Sequence, residues 1–220
     1  MRQLLARDEF DRLLDLLEIR KYQAREAQRR GYQRLENSAR VLDERLGYRT
    51  LRLPRPEKRA KRIIRKVEEE LNENRGLDLE EAVRRVKDLA GGRIAILHLQ
   101  DIPDAHAHFC ESLNRVRVCK LDGEEEDYIR EPKPSGYRAL HQGLLVRLQS
   151  GEWFSFEVQF MTFLQLDWAQ KEHLVYENPE RFPAAIREEL RKLSDALHEA
   201  SMRSDILRTA IRYYLSASAN

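Results

Sequence analysis

A broken stretch of the chain, DYIREPKPSGYRALH at residues 127–141, contains side chains that could bind a phosphorylated, aromatic ligand. Two prolines and a glycine prevent it from forming one continuous helix. It holds the cations Lys133 and Arg138 and the rings of Tyr137 and His141. Cations bind phosphate oxygens, and a tyrosine ring can stack on a nucleobase. A solvated surface loop could have the same composition, so the choice depends on the rest of the chain.

Two carboxylates, Asp88 and Glu157, are candidates for metal binding and proton transfer. Asp88 is predicted to end a helix in KDLAGGR, where glycines allow close backbone approach to a ligand and Arg93 could bind phosphate. Glu157 lies in FSFEVQF, whose alternation places it on the same strand face as Gln159, opposite the phenylalanines. Mg²⁺ typically takes one or two carboxylates plus substrate oxygens. The structural alternatives are an ordinary helix-end aspartate and a solvated strand face.

A block of positive charge lies at residues 52–66, RLPRPEKRAKRIIRK, with eight Lys or Arg and one Glu. Lys58, Arg62 and Arg65 are predicted to line one face of a helix, followed by Lys66. Apolar residues on the opposite face would pack the helix and fix this row of cations. The overall net charge is only +2, so the block favours phosphate binding at one place over the coating of a nucleic acid. A solvated charged face is the alternative.

The hydrophobic pattern predicts an α+β fold with a mixed central β-sheet of about five strands flanked by helices. Helical periodicity covers residues 1–46, 57–74, the segment after Asp78, 101–114 and 163–217, with a break at NPERFP. Strand patterns fall between these helices, at residues 91–99, 115–121, 139–149 and 153–161. Asp78 is predicted to cap the third helix.

Other features exclude several classes of protein. No segment approaches the roughly 18 apolar residues of a membrane span, and the N-terminus lacks the pattern of a signal peptide. The two cysteines, Cys110 and Cys119, are expected to be reduced in a cytoplasmic protein. HAHFC at residues 106–110 could suggest a metal site, but no second ligand pair follows at zinc spacing, which favours an ordinary helix surface.

Four ordered blocks together resemble the synthetase domain of the RelA/SpoT family: KRAKRIIRKV, VKDLAGGRIAI, DYIREPKPSGYRALH and FEVQFMTFLQLDWAQKEHLVY. The resemblance implies a nucleotidyltransferase-like synthetase core at residues 51–178, with helical extensions at 1–50 and 179–220. Only about fifty residues precede the core. The chain therefore resembles a small, stand-alone synthetase without a hydrolase domain.

The resemblance implies a role for each matched residue. Asp88 would bind Mg²⁺, and Glu157 would share the metal or accept the proton of the acceptor 3′-hydroxyl. The ATP phosphates would be bound by a set of cations, namely Lys58, Arg62, Arg65, Lys66 and Arg93. The acceptor nucleotide would be bound by Lys133, Tyr137, Arg138, His141 and Gln159. The chain departs from the family pattern at Arg62, where Ser is usual, and at Met161 and Glu177, where cations are usual.

The implied reaction is transfer of the β,γ-pyrophosphate of ATP to the 3′-hydroxyl of GDP or GTP. A second hypothesis keeps the fold but makes the protein a toxin, which would modify the 3′ end of tRNA or adenine nucleotides and need a neutralising antitoxin. A third is a non-catalytic nucleotide- or RNA-binding module, against which both carboxylates argue. The long terminal helices have apolar faces, so a homo-oligomer is also expected.

Overall fold

The structure is a computed structural model that describes residues 7–58, 60–113, 116–177 and 179–217. Its helices are α1 (Arg7–Leu46), α2 (Ala60–Glu73), α3 (Leu79–Arg85), α4 (Ile102–Leu113), α5 (Phe163–Glu177) and α6 (Ala184–Ala217). Single 3-10 turns precede α4 at Leu99–Asp101 and α6 at Pro179–Arg181. The strands are β1 (Thr50–Pro54), β2 (Gly91–Ile96), β3 (Cys119–Leu121), β4 (Glu126–Asp127), β5 (Leu140–Arg147) and β6 (Trp153–Thr162).

The strands form one mixed sheet in the order β1-β2-β6-β5-β3, with β4 paired to β5. The central pair, β2 and β6, is parallel, and the other pairs are antiparallel. This arrangement confirms the predicted α+β class with a mixed central sheet. Among the helices in the described ranges, none is both long and apolar enough to cross a bilayer.

Alternation along β6 divides the molecule into two packing layers. Phe154, Phe156, Val158 and Phe160 are all buried in the main core, together with apolar residues of α1 and α4. The opposite face of the sheet has a smaller core around Met161, which α5 covers with Leu166. The predicted split of β6 is confirmed, because Glu157 and Gln159 alternate with the buried phenylalanines and lie on the side of the smaller core.

Three local predictions were wrong. Residues 50–54 form the edge strand β1, a segment that the predicted strands do not include. The second helix begins at Ala60, three residues later than predicted. Lys58 therefore precedes the helix and does not share a helical face with Arg62 and Arg65. The third helix has the predicted Asp78 cap but ends at Arg85, so Asp88 does not end a helix.

The first six residues of the predicted N-terminal helix lie outside the described ranges, as do the last three residues of the predicted C-terminal extension. From Arg7 onward α1 is continuous, and its buried leucines pack against the sheet. This contact needs a close approach at Gly31. A Cβ atom on Gly31 would lie 2.5 Å from Cδ2 of the buried Phe156 ring.

Gly31→Ala is therefore expected to destabilise the protein. Alanine normally favours a helix by about 1 kcal/mol over glycine, whereas overpacking a core costs about 1–3 kcal/mol, and the fully buried Phe156 ring has little room to move. Urea unfolding should show a lower free energy of unfolding. Adding Phe156→Leu should recover part of the Gly31→Ala loss, and strictly additive losses would contradict the contact.

Candidate active site

The two candidate carboxylates are brought together by the parallel pairing of β2 and β6. Glu157 pairs with Gly91, and its backbone N–H donates to the carbonyl of Ala90 at 3.1 Å. Asp88, three residues before Gly91, has a positive φ of 67°, a left-handed conformation that is uncommon for a residue other than glycine. The sequence places these carboxylates 69 residues apart, and the sheet brings them together where β2 begins beside the middle of β6.

A single guanidinium group, that of Arg55, joins the two carboxylates. Its Nη1 lies 2.5 Å from Oε1 of Glu157 and also contacts Oδ1 of Asp88. The Arg55 backbone N–H donates to the carbonyl of Gly91 at 2.9 Å. A Cβ atom on Gly91 would lie 2.8 Å from Cδ of Arg55 and 2.6 Å from the Glu157 carbonyl oxygen. The glycine is therefore required for Arg55 and β6 to approach this closely.

Helix α1 also holds Gly91 in place. The side chain of Gln28 donates to the Gly91 carbonyl and accepts from the Gly91 N–H, both at 2.8 Å. Gly91 is thus held by Gln28, by Arg55 and by its pairing with Glu157. Gly91, the first residue of β2, therefore fixes where the two carboxylates lie.

Two lysines complete the charge balance around Asp88. Lys58 Nζ contacts Oδ2, and Lys66 Nζ lies 3.6 Å from the same oxygen. Burial lowers the pKa of Lys58 to about 8, even though Asp88 opposes this shift. Burial by itself would raise the pKa of Asp88, but the charges of Arg55 and Lys58 outweigh it and hold that pKa below its usual value.

Glu157 is bound by side chains from two strands. Gln159 donates to its Oε1 at 2.7 Å, and Nδ1 of His141 lies 3.3 Å from its Oε2. Gln159 in turn accepts from Nε of Arg93 at 3.0 Å. Burial opposes ionisation of Glu157, but the hydrogen bond with His141 and the charge of Arg55 outweigh it, so its pKa lies well below the usual range. The carboxylate is therefore ionised at neutral pH.

The broken stretch singled out in the sequence lies beside this network. The Tyr137 hydroxyl is 2.9 Å from Nε2 of His141, which links the stretch to Glu157. Lys133 Nζ lies 4.1 Å from the centroid of the Tyr128 ring and 5.5 Å from that of Tyr137. Gly136 has a φ of 93°, which a glycine accommodates without strain. Burial raises the pKa of Tyr137, so its hydroxyl stays protonated.

Of the predicted site residues, Arg65 lies outside this network, and Arg138 joins the broken stretch to α6. Arg65 is exposed and its Nε donates to Glu69 at 3.0 Å. Arg138 donates to the Ile129 carbonyl at 3.0 Å and to Asp195 at 2.9 Å, so its guanidinium ties parts of the fold together. The other ten predicted residues (Lys58, Arg62, Lys66, Asp88, Arg93, Lys133, Tyr137, His141, Glu157 and Gln159) have contacts or charges within the network around the carboxylates and the broken stretch.

Sequence reasoning did not single out three residues of this region, Arg55, Tyr128 and Glu172. Arg55 has a weak sequence signal, since it stands between two prolines. Glu172 on α5 is half-buried, and burial raises its pKa while a hydrogen bond from Ser135 and the charge of Lys133 lower it. It thus connects α5 with the broken stretch. Tyr128 lies within the quoted block, and burial and its bond to Glu126 raise its pKa to about 12.

The HAHFC segment lies on the other face of the sheet. His106 Nε2 is 3.0 Å from Oε1 of Gln142, and its Nδ1 is 3.1 Å from Oε2 of Glu125. Both cysteines are free thiols. Within the described ranges, no group of three or more His, Cys, Asp and Glu side chains could hold a metal ion.

Comparison with known proteins identifies the family. The profile described as "Region found in RelA / SpoT proteins" matches residues 55–181, which include the carboxylates, the cations and the broken stretch. The chain belongs to the RelA/SpoT family. The GTP pyrophosphokinase YwaC of Bacillus subtilis (strain 168) is 28% identical over 124 residues, an alignment that covers 54% of this chain and 56% of that protein.

Solved structures share the fold. Small alarmone synthetase 1 from Bacillus subtilis, bound to its product pppGpp, superposes with a TM-score of 0.69 at 22% identity, over 93% of this chain and 99% of that one. A GTP pyrophosphokinase family protein from Streptococcus pneumoniae gives a TM-score of 0.65 at 20% identity, over 86% of this chain and 93% of that one. The likeness extends beyond the matched family region into the terminal helices.

Proposed function

We propose that the protein is an ATP-dependent pyrophosphokinase that transfers the β,γ-pyrophosphate of ATP to the 3′-hydroxyl of GDP or GTP. The observation that carries the proposal is the joining of Asp88 and Glu157 through Arg55, with Lys58 and Lys66 beside Asp88 and His141 of the broken stretch beside Glu157. Membership of the RelA/SpoT family supports the reaction class. A guanine acceptor is supported by the similar proteins, which include a GTP pyrophosphokinase and a synthetase bound to pppGpp.

In the proposed reaction the acceptor 3′-oxygen attacks the β-phosphorus of ATP. The new bond joins that oxygen to the β-phosphorus, the bond from the β-phosphorus to the oxygen of the α-phosphate breaks, and AMP leaves. Glu157 accepts the hydroxyl proton. Lys58, Lys66 and Arg93 bind the triphosphate oxygens, with Arg62 beside them. On the acceptor side, Tyr137 contacts the base, Lys133 the phosphates, and His141 and Gln159 hold Glu157 in place.

The carboxylate pair fits a divalent cation, because Asp88 and Glu157 already share one cationic group. Carboxylate oxygens are the ligands that Mg²⁺ prefers, and these two would hold it in the proposed site. Mg²⁺, when bound, would neutralise charge that develops on the phosphate oxygens. Arg55 Nη1 contacts the same oxygens, so the guanidinium and the cation would compete for the pair.

Arg55 also affects the basicity of Glu157. A carboxylate with a strongly lowered pKa is a weak proton acceptor, and the Arg55 charge is one cause of that lowering. Movement of Arg55 away from the pair would remove this cause of the lowering, and Glu157 becomes a better base to the extent that Asp88 carries the cation. In the proposed cycle, substrate binding is accompanied by this movement.

Tyr137→Ala is expected to weaken acceptor binding most. Loss of one base–aromatic stack costs about 1–3 kcal/mol, which corresponds to an increase in acceptor KM of roughly 5- to 150-fold. The KM for ATP should change little. Tyr137→Phe is the matched control, since it keeps the ring and removes the 2.9 Å hydrogen bond to His141. An unchanged acceptor KM in Tyr137→Ala would contradict the stacking role.

The function itself is tested by one parallel assay. Purified protein, Mg²⁺ and ATP labelled at the γ-phosphate are offered GDP, GTP, AMP, ADP, ATP and bulk tRNA, and the products are separated. Label on a guanine nucleotide supports the proposal. Label on tRNA or an adenine nucleotide would keep the chemistry but favour the toxin alternative, with an antitoxin as its expected partner. Absence of transfer to every acceptor would contradict the proposed enzyme.

The homo-oligomer stays a prediction. The C-terminal end of α6 exposes several large apolar side chains, among them Ile206, Leu207 and Ile211. This is the surface that self-association would bury. Sedimentation of the full chain at several concentrations would measure it.

A further inference from the structure

Helix α6 begins at Ala184, after the last residue of the matched family region, yet it contacts the broken stretch directly. The acceptor loop, defined here as residues 133–138, lies against it. Ser194 Oγ donates to the carbonyl of Gly136 at 2.5 Å, and Ser194 is only 5% exposed. A hydroxyl buried in this position makes a bond between the helix and the loop that water does not replace.

Two more contacts lie on the same side of α6. Asp195 Oδ1 accepts from the Arg138 guanidinium at 2.9 Å. Arg138 is the loop residue that follows Gly136 and Tyr137. One turn earlier, the Leu190 carbonyl accepts from Nε1 of Trp168 at 2.6 Å. Trp168 is buried, and its ring centroid is 6.5 Å from that of Tyr137. The helix therefore contacts the loop on both sides of Tyr137 and supports the ring that lies beside it.

Helix α6 and the acceptor loop are packed too closely for the loop backbone to shift toward the helix. A Cβ atom on Gly136 would lie 3.1 Å from Cβ of Ser194 and 3.3 Å from Cα of Arg191. The loop backbone is thus in contact with the helix surface. Within the loop, Gly136 N–H donates to the Lys133 carbonyl at 2.7 Å, and Lys133 N–H donates to the Tyr137 carbonyl at 3.1 Å. A small shift of α6 would move this closed turn as one unit.

We infer that Ser194 and Asp195 are positioning residues for the acceptor substrate. They fix the acceptor loop so that Tyr137 and Lys133 face the nucleotide beside Glu157. The inference rests on the proposed function, because it assigns to α6 a role in binding the acceptor. It makes a helix outside the matched family region a determinant of acceptor affinity.

Ser194→Ala tests this inference, and Ser201→Ala is its matched control. Both serines are 5% exposed on α6, but Ser201 donates to the Leu197 carbonyl within its own helix. Ser194→Ala leaves the Gly136 carbonyl unsatisfied, so we expect the acceptor KM to rise about five- to tenfold while kcat and the KM for ATP stay within about twofold. Ser201→Ala should leave all three values unchanged.

A second pair of variants tests the Arg138 contact. Asp195→Asn keeps an oxygen that accepts from Arg138 and should retain a near-normal acceptor KM. Asp195→Ala removes that oxygen and should raise the acceptor KM by a smaller factor than Ser194→Ala does, because the Asp195 side chain is 51% exposed. A purely structural role of the helix would lower the thermal midpoint without separating acceptor KM from ATP KM.

Hydrogen exchange of the loop amides gives a readout that does not depend on activity. Faster exchange of the Lys133 and Gly136 amides in Ser194→Ala, but not in Ser201→Ala, is expected. Equal exchange in the two variants, or faster exchange with an unchanged acceptor KM, would overturn the inference. If the wild-type protein transfers pyrophosphate to none of the acceptors, the proposed function fails and the positioning role fails with it. Exchange then reports only whether the helix holds the loop.

Discussion

Glu157→Gln is expected to abolish measurable pyrophosphate transfer while the fold survives. Glutamine has nearly the same shape but neither accepts a proton at neutral pH nor carries the charge that pairs with Arg55. Loss of a general base alone lowers kcat by about 10²- to 10⁴-fold, and loss of a proposed metal ligand adds to this. Initial rates with γ-labelled ATP and the preferred acceptor measure the effect, and circular dichroism checks the fold.

Glu126→Gln is the matched control for this variant. Its carboxylate also faces His141, at 3.9 Å from Nδ1, but the Glu126 side chain is 60% exposed whereas that of Glu157 is 22% exposed. We expect Glu126→Gln to keep most of the activity, because Glu126 contacts neither Asp88 nor Arg55 in the structure. A Glu157→Gln enzyme that retains more than about a tenth of the wild-type kcat would exclude Glu157 as the proton acceptor.

Local patterns in the sequence predict the elements that carry the site. The alternation of FSFEVQF places Glu157 and Gln159 on the face opposite three buried phenylalanines, as the structure has them. Such alternation is a strong signal because every second residue along the strand points to the same face, and the face toward the core must be apolar. The Asp78 cap is predictable for a similar reason, since its carboxylate bonds a backbone N–H only three residues away.

The contacts between elements are not predictable in this way. Strand β1 is an edge strand that ends at Pro54, where a missing N–H is tolerated, so it has no strong strand pattern of its own. Its pairing with β2 is what brings Arg55 to Gly91 and hence to both carboxylates. The basic pattern predicts that Lys58 lies in a row of cations on one helix face. In the structure Lys58 precedes the helix, and the path of the chain after β1 brings it to Asp88.

Removal of the Arg55 guanidinium is the second change for which we expect a large effect. The Arg55 side chain is 14% exposed, and those of Asp88 and Glu157 are 23% and 22% exposed, so most of each side chain is shielded from water. Removing one member of a buried ion pair typically costs about 3–5 kcal/mol, because the remaining charge is left without a partner. Lys58 and Lys66 still contact Asp88, and His141 still contacts Glu157. We therefore expect Arg55→Gln to lower the free energy of unfolding by about 3 kcal/mol, the lower end of that range.

Arg55→Lys, which keeps the charge, and Arg65→Gln, which removes only an exposed contact with Glu69, are the controls. An exposed ion pair contributes about 0–1 kcal/mol, so Arg65→Gln should unfold like the wild type. Unfolding of all three variants in urea at neutral pH, without nucleotide or divalent cation, gives the comparison. A wild-type free energy of unfolding in Arg55→Gln would show that the two carboxylates do not depend on this cation.

The same variant separates the stabilising role of Arg55 from its proposed competition with a divalent cation. Without the guanidinium, Asp88 and Glu157 repel each other, so Mn²⁺ should bind the free protein more tightly and Mg²⁺ should restore stability more than in the wild type.

The decrease in the free energy of unfolding at acidic pH should change as well in Arg55→Gln. A carboxylate with a lowered folded pKa stabilises the fold above its unfolded pKa and loses that contribution as pH falls. Loss of one cause of the lowering at Glu157 should make this fall smaller in Arg55→Gln.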